Sequence, residues 1–182
     1  MPFSYFSRLP PRLQKIYLQS DRITEIKLEH PELLLPLVEG LRQALLQESR
    51  GGVELAAHNL ARGMTGMLEV PPLVLQVLAV RPRSDWGELH GLYTQAERGP
   101  AQIKLWMRTA AHKRPVAFKT FLRTLIHEVG HHLDYCYLKL ADSLHTEGFF
   151  RRESSIVRQL LPESATARGP EDGPSTTTRS DR

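Results

Sequence analysis

Apolar residues recur along the chain with two different periods, and the change of period divides it. Leu13, Ile16, Tyr17, Ile23 and Ile26 follow the Pro10-Pro11 start signal at roughly helical spacing. Leu33, Leu34, Leu37, Val38, Leu41, Ala44 and Leu45 mark a clearer amphipathic helix, with Pro36 in its first turn and a stop at Gly51-Gly52. A third, short helix is expected from Val53 to Met64. The period then shortens. Leu73 to Val80 (LVLQVLAV) is Val-rich and bounded by Pro72 and Pro82, as a buried strand is. Glu88 to Thr94 and Gln102 to Arg108 alternate, with Gly99-Pro100 as a turn signal between them. From Pro115 to about Leu140 the pattern is helical again, and a last helix should cover Phe149 to Leu161, ending at Pro162. Helices, then a small sheet, then two helices predict an α+β fold.

Beyond Pro162 no large apolar residue remains, so residues 163–182, rich in Pro, Gly, Ser and Thr, are expected to form a disordered tail. Residues 1–162 then make one domain, with a helical N-terminal part (1–68) and a core over 73–161. Composition changes this picture little: 41% hydrophobic and 24% charged residues are ordinary soluble usage. The lone Cys136 excludes an intrachain disulfide and a thiolate metal cluster, and fits a reducing compartment. The N-terminus has no basic segment followed by a long apolar run, and Val70 to Val80 is too short to span a bilayer, so a cytoplasmic protein without membrane partners is expected. A net charge of +4, spread along the chain, permits nucleic-acid contact without indicating it. No phosphate-binding glycine loop and no G-x-S-x-G elbow is present.

The chemistry concentrates in His127-Glu128-Val-Gly-His131-His132-Leu-Asp134. Residues four apart on a helix share a face, so His127 and His131 can direct two imidazoles at one ion. Glu128 sits about 100° round the helix and can reach a water on that ion without ligating it. This is the H-E-x-x-H arrangement of zinc hydrolases, Zn2+ acidifying a water and the glutamate accepting its proton. Three specified letters recur by chance, but the flanking residues Leu125, Ile126, Val129, Gly130 and Leu133 are uncharged, and an apolar stripe from Phe118 to Val129 would bury one side. Gly130 costs about 1 kcal/mol in a helix interior, which points to close approach of another backbone. Asp134, on the face of His127 and His131, can accept the free N–H of a ligand histidine or make a salt bridge. His132 reads as a packing histidine, His58, His90 and His112 stand alone, and Tyr93 could line the cleft.

A catalytic zinc needs a third protein ligand. Glu153, His145 and Glu147 follow the motif, and Glu153 falls on the stripe Phe149, Glu153, Ile156, Leu160, where a buried carboxylate needs a metal or an ion-pair partner.

HEVGHHLDY resembles the active-site helix of the zincin metallopeptidases, in particular the glutamate-ligated, gluzincin-like branch. The resemblance spans roughly residues 73–161, with only the helix motif sharp, and the N-terminal helices resemble no known family. It implies a minimal zincin-like fold, Zn2+ as cofactor, Glu128 as general base, and a peptide or protein substrate lying along the strand Gln102 to Arg108 by β-addition. It also favours Glu153 as third ligand, from the next helix. His145-Thr-Glu-Gly-Phe149 resembles instead the His-x-x-x-Phe element of SprT-like metalloproteases, where a histidine is the third ligand and nucleic acid is a partner; Glu147 is the remaining choice. A zinc protein with a structural or sensing centre and no catalysis is the other class compatible with the motif.

Overall fold

The chain's architecture is described by a computed structural model covering residues 2–84, 87–110 and 112–162. The expected tail lies outside the described residues. In chain order the elements are α1 (Pro11–Asp21), α2 (Leu35–Leu46), α3 (Arg50–Met67), β1 (Val74–Val80), β2 (Arg83–Ser84), β3 (Gly87–Glu88), β4 (Gly91–Thr94), β5 (Gln102–Arg108), α4 (Phe118–Cys136) and α5 (Glu147–Leu160), an α+β fold.

Two N-terminal boundaries differ from the periodic reading, each for a local reason. α1 ends at Asp21, so Ile23 and Ile26 lie in an extended connection. Ile26 and Leu28 are buried there all the same, because the Gln159 side chain donates to the Ile26 carbonyl and accepts from the Leu28 N–H. α2 ends at Leu46, before the glycine pair, and Gly51-Gly52 instead start α3. The reason is Ser49, whose hydroxyl accepts from the Gly52 N–H and caps α3.

β1 pairs parallel with β5 and β4 pairs antiparallel with it, giving the order β1-β5-β4. β2 and β3 form a separate antiparallel pair. On β5, Ile103, Leu105 and Met107 alternate into the core, which also holds Leu75 and Val77 of β1, Leu60 and Met64 of α3, and Leu122, Leu125, Val129 and Leu133 of α4. α3 packs on β1, whereas α4 lies against β4 and β5 with α5 beside it. β5 is therefore the central strand, hydrogen-bonded on both sides, which corrects the expectation that a substrate could pair with Gln102 to Arg108. The sheet edge beside α4 is β4. Among the described residues no helix is long and apolar enough to cross a membrane.

Candidate metal centre

α4 is helical through the whole motif, so His127 and His131 stand one turn apart with ring centroids separated by 5.0 Å. A third imidazole joins them from the α4–α5 connection. His145 Nε2 lies 3.0 Å from His127 Nε2, and its ring centroid is 4.9 Å from that of His131. One ligand atom from each ring lies within 4.8 Å of the other two, and among the described residues this is the one group of three or more His, Cys, Asp or Glu side chains so placed. Phe149, buried at the start of α5, packs its ring centroid 5.0, 4.8 and 5.3 Å from those of His127, His131 and His145. The residue crowding Gly130 is this same ring, 3.2 Å from where a Cβ would stand, and not another backbone.

Glu153 is buried as its stripe predicts, but it faces the far side of a ring. Its Oε2 is 3.0 Å from His127 Nδ1 and its Oε1 is 3.4 Å from Arg123 Nε. Glu153 thus stands behind His127, outside the group that the three histidines form. An ionised carboxylate only accepts, so His127 carries its proton on Nδ1 and keeps the Nε2 lone pair facing His145. Glu147 pairs with Arg151 one turn further along α5, and that hydrogen bond holds its carboxyl below the usual range.

His131 is oriented through a longer chain. Its Nδ1 is 2.7 Å from the Ser143 hydroxyl, which donates at 2.8 Å to Asp134 Oδ2. The hydroxyl has one proton and gives it to the carboxylate, so it accepts from the histidine, again leaving Nε2 unprotonated. Asp134 reaches His131 through Ser143, and its other oxygen takes a 2.7 Å bond from the buried Arg152. Burial pushes the Asp134 carboxyl up, against the pull of Arg152 and Ser143. For His131, burial first and then His127 and His145 lower the imidazole to about 3, while His145 is lowered mainly by burial. Both are neutral at pH 7, the form that ligates a metal.

The loop bearing His145 is held by the N-terminal segment. Tyr5 donates its hydroxyl to the His145 carbonyl, the Ser20 and Thr146 hydroxyls lie 3.3 Å apart, and the Gly148 N–H donates to Asp21 Oδ1 at 2.9 Å. Thr146 caps α5 through the Phe149 N–H. A Cβ on Gly148 would stand 2.6 Å from the Ser20 and Asp21 carbonyl oxygens, so only glycine lets α5 start this close to the end of α1.

Glu128 is buried against β4, and a Cβ on Gly91 would meet its Oε1 at 2.3 Å. Burial raises the Glu128 carboxyl to about 7, despite the opposing effects of His127 and a hydrogen bond from the Tyr93 backbone. The Tyr93 ring stacks on those of His131 and Tyr135 at 6.2 and 6.1 Å, and burial foremost raises its phenol to about 12. Buried His132 lies 2.8 Å from the Pro71 carbonyl through Nε2, so its Nδ1 can accept from the Tyr93 hydroxyl 3.2 Å away. These groups line a cleft of about 700 Å³ whose walls include Gly91, Tyr93, Arg123, Glu128, Tyr135 and the three histidines. His90 also lines it, while His58 sits on α3 and His112 in the loop after β5, both outside the cluster.

Sequence reasoning missed Ser143, the pairing of Arg152 with Asp134 and the role of Gly91. The signal for Arg152 was available, since it falls three residues after Phe149 on the buried side of α5. Ser143 lies in a loop, where no periodicity marks it. Comparison with models of known protein families, with curated proteins and with solved structures returned no match.

Proposed function

We propose that this chain is a zinc-dependent metallopeptidase in which His127, His131 and His145 hold the ion and Glu128 is the general base. The observation that carries the reading is the convergence of three imidazoles beside a buried carboxyl in an open cleft. The donor set fits zinc: two of the rings are held neutral, the back nitrogens of His127 and His131 are both hydrogen-bonded, and three protein ligands leave a position for water or substrate. When bound, zinc supplies Lewis acidity, polarising a carbonyl and acidifying water.

The chain's own residues do the rest. Glu128, raised to about 7, is matched to accept a proton from the attacking water near neutral pH and to pass it to the leaving amine. The Gly91 gap and the Tyr93 N–H keep its carboxylate beside the cluster. Tyr93 and Tyr135 form one wall of the cleft, and the edge of β4 that no described strand pairs offers an extended peptide its remaining backbone groups, the Tyr93 N–H being held by Glu128. Within the zincin resemblance this ligand set follows the SprT-like pattern, with Glu153 moved from ligand to the partner that orients His127.

The test is metal content measured beside peptide hydrolysis. His145→Ala should lose zinc as His127→Ala does, Glu153→Gln should weaken zinc without abolishing it, and Glu128→Gln should keep zinc and lose hydrolysis. Full zinc retention by His145→Ala would overturn the ligand set. A zinc-loaded wild type that hydrolyses no peptide would leave a structural or sensing centre. Salt-sensitive DNA binding would add the nucleic-acid partner of SprT-like enzymes.

A further inference from the structure

The cleft does not end at the histidines. Arg123 and Thr124 line both it and an adjoining hollow of about 390 Å³, whose other walls are Lys119, Thr120, Val157 and Leu161. Among the described residues that lining holds two cations and no acidic side chain. Lys119 is exposed, and Arg123 meets Glu153 through Nε at 3.4 Å while 55% of its side chain stays exposed. Both cations fall in the first two turns of α4, whose first turn has no acidic residue. Cations are disfavoured at that end of a helix and find no acidic residue in its first turn; Glu153 offsets Arg123 through Nε, which leaves Lys119 and the exposed end of the Arg123 guanidinium to make this end of the cleft positive.

Resting on the peptidase reading, we propose that this hollow is a substrate subsite that takes a carboxylate one or two residues to the C-terminal side of the cleaved bond. The side follows from the strand. Gly91 of β4 faces Glu128 while Tyr93 faces His131 and Tyr135, so β4 runs along α4 in the same sense, with Leu89 and His90 toward Arg123. A peptide pairing antiparallel to β4 runs the opposite way, its C-terminal half toward Arg123. Arg123 lies four residues before His127, about 6 Å along the axis, against about 3.4 Å per residue of extended peptide. The carboxylate can be an Asp or Glu side chain or the free end of a short peptide, and the guanidinium fork with the neighbouring ammonium suits either. The apolar floor of Val157 and Leu161 accepts the carbon chain that carries it.

The experiment uses zinc-loaded Glu128→Gln to bind matched peptides without turnover, beside wild-type cleavage of the same peptides. The set places Asp or Asn at the two positions after the bond, and ends in a free or amidated C-terminus. Carboxylate-bearing peptides should bind about threefold to tenfold tighter than their amides, an advantage that falls with salt. Adding Lys119→Gln or Arg123→Gln should erase that advantage, with Arg123→Lys restoring part of it and zinc content unchanged by Lys119→Gln. Response to Asp alone, or to the free terminus alone, names the source of the carboxylate. Equal binding of acid and amide overturns the subsite even where wild type cleaves both. Selective binding that depends on Lys119 and Arg123, with no cleavage by wild type, sustains the subsite and overturns the peptidase reading. Failure to bind or cleave any of the peptides overturns both.

Discussion

His127 and His131 serve one cluster from one helix, and the chain secures them in opposite ways. Behind His127 stands a single carboxylate, Glu153, whose other partner, Arg123, is more than half exposed. Behind His131 runs a hydroxyl, then the fully buried Asp134, then buried Arg152, whose remaining donors reach the Ser20 and Ile23 carbonyls and the Ser20 hydroxyl. Both arms fix the same tautomer. One is a local adjustment beside the cleft, with its outer cation screened by water; the other is continuous with the interior and ties the site to the end of α1. Orientation of a ligand is cheap at the surface, whereas in the interior each group must be satisfied in turn or the fold fails.

The largest break should come at the inner end of the buried arm. Arg152→Met removes the cation that pairs with the buried Asp134 carboxylate and a donor from the Ser20 and Ile23 carbonyls, and should cost about 3–5 kcal/mol in denaturant unfolding. Arg152→Met paired with Asp134→Leu should recover much of that loss.

Acid should also strike the buried arm. His131 is depressed to about 3 by burial and its neighbouring imidazoles, so the metal-free folded state stays neutral there while the unfolded chain takes up a proton below about 6.5. Its contribution is intact above pH 6.5 and lost as the pH falls toward 3, at up to roughly 1.4 kcal/mol per pH unit. Unfolding curves of metal-free protein across that range should show the slope, and His131→Gln should flatten it.

On the zinc reading, metal affinity should separate the arms less sharply. Glu153→Gln and Ser143→Ala should each weaken zinc about 10- to 100-fold, read by competition with a chelator. Only Ser143→Ala should also lower the stability of the metal-free protein, by about 1–3 kcal/mol, because it strips a partner from buried Asp134. The smallest effect is at the exposed end: Arg123→Gln should change stability by less than about 1 kcal/mol.

The sequence disclosed each part of the site to the extent that its placement is local. The spacing of His127, Glu128 and His131 on an uninterrupted helix was sufficient, since one helical turn places all of them. β5 has the bounds its alternation predicts, yet its central position depends on parallel pairing with β1 from across the chain, which alternation does not encode. The stripe on α5 correctly buried Glu153, but periodicity gives a face and not the atom that face meets, and so Glu153 was expected on the ion. His145 sits in a connection without periodicity, positioned by Tyr5, Ser20 and Asp21 from more than a hundred residues upstream.

That last attachment orders events as well as atoms. A polypeptide emerging from synthesis completes α4, with two imidazoles ready, before His145 and α5 exist. The third arrives only when residues 5–21 and 145–148 have docked, so on the zinc reading a complete ligand set is a late step in maturation. A cut between α1 and α2 that lets the first helix drift away should, on the same reading, cost the third ligand while leaving H-E-x-x-H whole.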